Sequence, residues 1–286
     1  IKAVVQAIPT YTMSCFKLSV GICNELESLL RKFWWEQRGD RRKIHWKKWE
    51  VLCKPKLDGG LGFKDLCKFN EAMLAMHVWR LIHDMDSLFY KVFKAKYFPN
   101  GSVFKAKSAT GSFAWKSILR SKNLIERNGH WRMGDGKSIR IFHDAWLPNS
   151  NASRILFHRG TLSPTATGDG LIDPNSGWWN LGLIDQSFYP PDAYSIKSLP
   201  LCITSQTDTF VWPAEKNGSY SVKLGYKILC EDQQTDGLDP QIAEAQRKLW
   251  KGVWKLKVPG KIKHFLWKAC SNSLPTKANL MKRTII

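Results

Sequence analysis

The sequence predicts a mostly α fold with small antiparallel β-hairpins, an α+β chain of many helices. Three observations predict it. Apolar residues recur at helical spacing over residues 22–33, 70–85 and 262–269. Two short stretches alternate instead around tight glycine turns, "HWRMGDGKSIRIFHDAWLP" and "DTFVWPAEKNGSYSV". Fourteen tryptophans in 286 residues each need a large apolar neighbour, which argues for several packed helical layers.

The first helix is "CNELESLLRKFWW". Ile22, Leu26, Leu29 and Phe33 form its apolar stripe, Asn24 is placed to cap it, and it ends near Gly39. "DGG" with Gly62 is a turn without the following Gly-Lys-Ser/Thr of a phosphate loop. Residues 70–85 are the most apolar helix, capped by Asn70. Leu74, Val78, Leu81 and Met85 line one stripe and Met73, Met76 and Trp79 a second, so the helix is expected to be buried on most sides. His77 and His83, six apart and without acidic or thiol partners, read as ordinary histidines. Ser87 caps "LFYKVFKAKYF", and Ser112 caps a helix running to Gly129. In the hairpin of 130–146, Trp131, Met133, Ile139 and Ile141 are expected to face the core while Arg132 and Arg140 face out. Asp135, His143 and Asp144 carry no pattern that demands catalysis. Residues 150–210 have weak periodicity and read as an irregular connection. A second hairpin turns at Asn217 and Gly218, and Ser221 caps a helix through Leu229. Four segments follow from this pass: 1–38, 39–149, 150–245 and 246–286.

Charge is unevenly spread under a net +20. Residues 31–56 carry ten positive and three negative side chains, and 57–149 carry fifteen and eight. Residues 150–245 carry six positive and eleven negative, and 247–286 carry eleven positive and none negative. Basic blocks interleaved with tryptophan suit a phosphate backbone, where cations displace counterions. Two blocks are the candidate nucleic-acid-binding residues. One is Arg38, Arg41, Arg42, Lys43, Lys47 and Lys48 with Trp46 and Trp49. The other is Lys255, Lys257, Lys261, Lys263 and Lys268 with Trp254 and Trp267. The tryptophans serve there either as stacking platforms for unpaired bases or as core. The partner expected is RNA or DNA, bound without sequence preference, with no membrane and no small-molecule substrate.

Seven cysteines stand scattered, with no CxxC pair. They fit reduced thiols in an intracellular protein, nuclear or cytoplasmic and not secreted. His264 and Cys270, six apart, point to different helical faces, so no zinc site or other cofactor is expected within the chain.

The order of the pieces carries a resemblance. "IPTYTMSCFKLSVGICNELESLLRKFWW" resembles the end of the reverse transcriptase domain of plant LINE-type (non-LTR) retroelement polyproteins, the tail of the polymerase thumb. "KLDGGLGFKDLCKFNEAMLAMHVWRLI" resembles the segment after it. "HWRMGDGKSIRIFHDAWLP" and "NGSYSVKLGYKIL" resemble the region between polymerase and zinc-binding module. "LWKGVWKLKVPGKIKHFLWKACSNSLPTKANLMKR" resembles the opening of that module. The resemblance implies that catalysis rests on an adjacent aspartate pair, which holds two metal ions. No such pair occurs in this sequence; the nearest approach is Glu231-Asp232. It implies further that the zinc ligands follow after Ile286. The expectation is therefore a catalytically incomplete fragment with residual nucleic-acid binding. Its competitors are an inert relic and an intact nuclease or polymerase with an unrecognised site.

Overall fold

The computed structural model describes residues 6–36, 44–107, 111–147, 154–155, 159–201, 206–231 and 240–283. Its helices are α1 (Thr10–Cys15), α2 (Val20–Glu36), α3 (Trp49–Cys53), α4 (Leu66–His83), α5 (Leu88–Tyr97), α6 (Phe113–Arg120) and α7 (Lys122–Asn128). After strand β1 (His130–Arg132) come α8 (Leu181–Ser187) and α9 (Pro190–Lys197). Strand β2 (Thr209–Val211) precedes α10 (Val222–Glu231), α11 (Pro240–Lys255), α12 (Gly260–Cys270) and α13 (Lys277–Met281). The mostly α fold with a small antiparallel sheet is as expected. The chain divides into two units, residues 1–74 with 226–286, and residues 75–225. The boundary falls within α4 and within α10.

In the first unit the core gathers Met13, Leu30, Trp35, Trp49, Leu52 and Trp267, among others. Helix α2 begins earlier than expected. Ser19, not Asn24, stands at its start, and its hydroxyl accepts the Ile22 N–H at 3.3 Å. Its buried side chains are Cys23, Leu30 and Trp35, whereas Ile22, Leu29 and Phe33 are exposed. The stripe is thus turned from the one expected, because the tryptophan has the larger apolar area to bury.

Asn70 is likewise not a cap. Helix α4 starts at Leu66, with the Asp65 carboxylate accepting the Lys68 N–H at 2.9 Å. Asn70 lies one turn in, fully buried. Its Nδ2 donates to the carbonyls of Met13 at 2.6 Å and Phe16 at 2.9 Å, and its Oδ1 accepts from Leu18 N–H at 2.9 Å. One side chain thereby satisfies the backbone where the chain leaves α1. Glu27 adds a second tie by accepting the Leu66 N–H at 2.8 Å. Burial raises its carboxyl above the usual range, against that hydrogen bond. Burial also pushes the Cys23 thiol up to about 12 and raises that of Cys53. Such thiols stay protonated and inert.

The second unit has aromatic packing at one end. Trp115, fully buried, stacks on Tyr97 at 4.6 Å and on Phe98 at 5.8 Å. The expected caps hold here: Ser87 accepts from Tyr90 N–H at 3.1 Å and Ser112 from Trp115 N–H at 3.3 Å. The helix expected to run from 113 to Gly129 is broken at Ser121 into α6 and α7. His83 is a structural residue, as expected. Its Nε2 lies 2.7 Å from the Phe210 carbonyl.

The hairpin readings need correction in their partners. β1 does not pair with the chain just after its glycine turn. It pairs antiparallel with β2, His130 opposite Val211 and Arg132 opposite Thr209. The arm at Ile139 and Ile141 joins Ala166 and Gly168 instead. Met133, Ile139 and Ile141 are buried as expected, while Trp131 is only half-buried. After Asn217 and Gly218 the chain returns only as far as one Gly218 carbonyl bond to Trp212 N–H, 2.7 Å, before α10.

Residues 150–210 also differ from expectation. Their described part carries α8, α9 and a dense core in which Leu171, Trp179, Ile184, Phe188 and Ile196 pack with Trp146.

The Gly-Asp-Gly loop closes on an aspartate from far along the chain. Asp208 accepts N–H bonds from Gly134 at 2.8 Å, Gly136 at 2.9 Å and Ser138 at 2.8 Å. Gly136 adopts φ +73, and a Cβ there would collide with the backbone of Asp169. Asp208→Ala is expected to lower stability by about 2 kcal/mol, since three donors lose a charged acceptor at a half-exposed site. Chemical unfolding reads this directly, and an unchanged midpoint would show that water replaces the carboxylate.

Candidate nucleic-acid interface

Helices α11 and α12 are set by how they grip the loop of residues 56–60. The Trp254 indole N–H donates to the Lys56 carbonyl at 3.1 Å, and that of Trp267 to the Gly59 carbonyl at 2.8 Å. Arg247 Nε donates to Asp58 Oδ1 at 2.8 Å. Gly59 has φ +82, and a Cβ there would come within 3.0 Å of Trp250 Nε1. The loop is therefore a backbone docking point for the C-terminal helices.

This arrangement separates the predicted tryptophans. Trp267 is fully buried and Trp49 nearly so, the latter stacked on Phe63 at 5.2 Å. Both are core, one of the two roles that the sequence left open for them. Trp254 is half-buried, with Lys56 Nζ 4.6 Å from its ring centre. Trp46 is half-buried, with the Arg283 guanidinium 5.6 Å from its ring. Arg283 also donates to the Trp46 carbonyl at 3.2 Å.

The predicted cations fall into three groups. Lys48, Lys255, Lys257 and Lys261 are exposed. Lys47, Lys263 and Lys268 are half-buried. Lys263 Nζ donates to the Trp254 carbonyl at 3.2 Å, and Lys268 Nζ lies 5.7 Å from the Trp35 ring centre. Arg38, Arg41, Arg42 and Lys43 lie outside the described residues. His264 stands edge-on to Trp34 at 5.4 Å and Trp254 at 6.2 Å. Desolvation lowers its pKa first, and the charges of Lys56 and Lys268 lower it further. Both effects favour the neutral ring, which adds no charge to the face.

Sequence reasoning missed Lys56, Arg283 and Phe265. The first two join the basic-aromatic cluster only through long-range packing. Phe265 is one of the apolar residues that recur at helical spacing over 262–269, together with Ile262. Both are exposed, Phe265 at 57%. Lys261 lies four residues before it and Lys268 three after, so all three share one helical face. The larger indole of Trp267 takes the buried position, and the phenyl ring is left between lysines.

Residues 220–286 match the family described as zinc-binding in reverse transcriptase. An Arabidopsis thaliana protein described as an uncharacterized mitochondrial protein is 41% identical over 144 residues, covering 50% of this chain and 94% of that protein. A second Arabidopsis thaliana protein, "Putative ribonuclease H protein", is 27% identical over 289 residues, covering 99% of this chain and 45% of that protein. The chain thus spans less than half the length of the second relative. No solved structure matches it.

Within 220–286, Cys230 packs beside Tyr226, His264 faces indole rings and Cys270 is exposed on α12. Among the described residues no three or more His, Cys, Asp or Glu side chains are placed to hold a metal ion. The described residues do not fit a zinc centre. Among them no helix is long and apolar enough to cross a membrane. The ordered motifs, the matched module and both relatives identify the chain as a member of the reverse-transcriptase-related proteins of plant retroelements.

Proposed function

We propose that this chain holds a single strand of RNA or DNA, without sequence preference, on the exposed face of α12 and the lysines beside it, and performs no catalysis itself. The observation that carries the reading is Phe265, exposed between Lys261 and Lys268 in a segment with eleven positive side chains and no acid. A phenyl ring stacks on any base, and lysines neutralise any phosphate. The reading without catalysis is supported by the family resemblance, since the adjacent aspartate pair that it implies does not occur in this sequence. The protein works inside the cell, in the nucleus or cytoplasm.

Salt titration tests the binding. A strand contacting the exposed Lys56, Lys255, Lys257 and Lys261, with Lys251 one turn before Lys255 on α11 and also exposed, gives log affinity against log salt a slope of about −3.5, at about 0.7 per phosphate. Changing Lys255, Lys257 and Lys261 to Gln brings the slope to about −1.4 and weakens all sequences alike. Phe265→Ala costs about 1–3 kcal/mol of affinity with little change in slope and none in stability. Salt-independent binding, or none at low salt by the folded protein, returns the inert-relic reading. Strand cleavage or primer extension with Mg²⁺ that one carboxylate substitution abolishes would replace this reading with an enzyme.

A further inference from the structure

The second unit contains a cleft of about 390 Å³ that plays no part in the strand-binding face. One wall is aromatic. Phe104 and Trp131 both pack on Phe210, at 5.1 and 5.4 Å between ring centres. Three cations, Lys105, Arg140 and Arg154, also line it, with His143 beside them.

Arg140 is held rigidly. Its Nε and Nη2 donate to Asp144 Oδ2 and Oδ1 at 3.3 and 2.9 Å, and its backbone N–H donates to the same carboxylate at 2.8 Å. A guanidinium carries five N–H donors in a fixed plane, so this clamp aims the remaining ones. Lys105 and Arg154 are exposed, and neither forms an ion pair among the described residues. The cleft holds two carboxylates: Asp144, paired with Arg140, and Glu126, which forms no ion pair among the described residues.

Flat apolar walls, a preset guanidinium and two unmatched cations suit a ligand that has an aromatic ring and an anionic group at once. We propose that this cleft binds one nucleotide. The base lies against Trp131 and Phe104, and the phosphate is held by Arg140, Arg154 and Lys105. Glu126 accepts from an amino group on the base. The volume is at the small end of the roughly 300–1,000 Å³ typical of small-molecule sites, enough for one nucleotide. The ligand is a nucleoside monophosphate, free or as an unpaired residue of a strand. This departs from the expectation of no small-molecule ligand. It rests on residues that the strand-binding reading does not use.

Calorimetric titration of the whole chain with AMP, adenosine and inorganic phosphate tests it. AMP is expected to bind, with adenosine and phosphate each at least about tenfold weaker, the loss of one charged contact or of the ring. Arg154→Gln and Lys105→Gln each weaken AMP by about tenfold. Their thermal unfolding stays that of the parent, since both side chains are exposed. Lys261→Gln, outside the cleft, leaves AMP affinity unchanged even where it weakens strand binding. A 5′-phosphorylated single strand that displaces AMP assigns the cleft to a strand, and one that does not assigns it to free nucleotide; both results support the proposal. It is overturned if phosphate binds as tightly as AMP, if neither cleft variant matters, or if the folded protein takes up no AMP at millimolar concentration.

Discussion

Trp267→Ala lowers the stability of the first unit by about 3–5 kcal/mol, the range for removing a fully buried aromatic side chain. The indole is 0% exposed and lies in the core that also holds Trp35, Trp49 and Trp250. Its N–H is tied to the Gly59 carbonyl at 2.8 Å. The substitution therefore opens a cavity and removes a hydrogen bond that holds α12 to the loop of residues 56–60. Trp267→Phe keeps most of the apolar volume and loses the bond, so it costs less, about 1–3 kcal/mol. Urea unfolding of the three proteins orders them. A Trp267→Ala protein with parental stability and lost strand affinity would mean that the ring stacks on bases after all, and the burial argument would fall with it.

The same residue shows where sequence reading loses its hold. Periodicity located α12 and its charge, but the spacing alone allowed two phases. Ile262, Phe265, Leu266 and Ala269 form a regular stripe, and a single tryptophan beside it looks like a surface ring. Packing reversed the two, because burying an indole that also finds a carbonyl partner removes more apolar area from water than burying the phenyl ring. Helix α2 turned for the same reason, with Trp35 inward and Phe33 outward. Local signals fared better. The hydroxyl caps at Ser87, Ser112 and Ser221 are contacts within three residues, and all three form.

Long-range pairing was illegible. β1 and β2 meet across more than seventy residues of chain, and nothing in either strand names the other. The Gly-Asp-Gly sequence correctly marked a turn, in which Asp135 accepts the Lys137 N–H at 3.3 Å, but the three further N–H bonds of the loop go to Asp208, which nothing local announces. The core around Trp146 and Trp179 draws on scattered apolar residues between Ser, Thr, Gly and Pro, where no period of 3.6 or 2 survives. For the interface, the acid-free run of charge was plain in the sequence. The nucleotide cleft was not, since Lys105, Arg140 and Arg154 come together only through tertiary folding.

Asn70 carries the other large expected effect, and its chemistry separates a tether from a cap. Its Nδ2 faces two carbonyl oxygens and its Oδ1 one N–H, so the network fixes which end of the amide is which. Asn70→Ala removes one hydrogen bond each from the buried Met13 carbonyl, the part-buried Phe16 carbonyl and the part-buried Leu18 N–H. At about 1–3 kcal/mol for each of the three bonds lost, less some relaxation, the expected loss is about 3–5 kcal/mol. An ordinary cap would cost only about 1 kcal/mol. Asn70→Leu fills the space but restores none of the bonds, so it should be nearly as destabilised as alanine. Asn70→Asp adds a pH signature. An ionised carboxylate would face the two carbonyls as acceptor against acceptor, whereas the protonated form keeps one O–H donor. The folded protein thus favours the proton, which raises the folded pKa above the unfolded value of about 3.9. The folded state binds more protons than the unfolded state above that pH, so stability falls as pH rises through and beyond it. Unfolding midpoints of Asn70→Asp measured from pH 3 to pH 7, each against the parent at the same pH, should show a penalty that grows with pH. A penalty near 1 kcal/mol for alanine and no trend for aspartate would return Asn70 to the role of a cap.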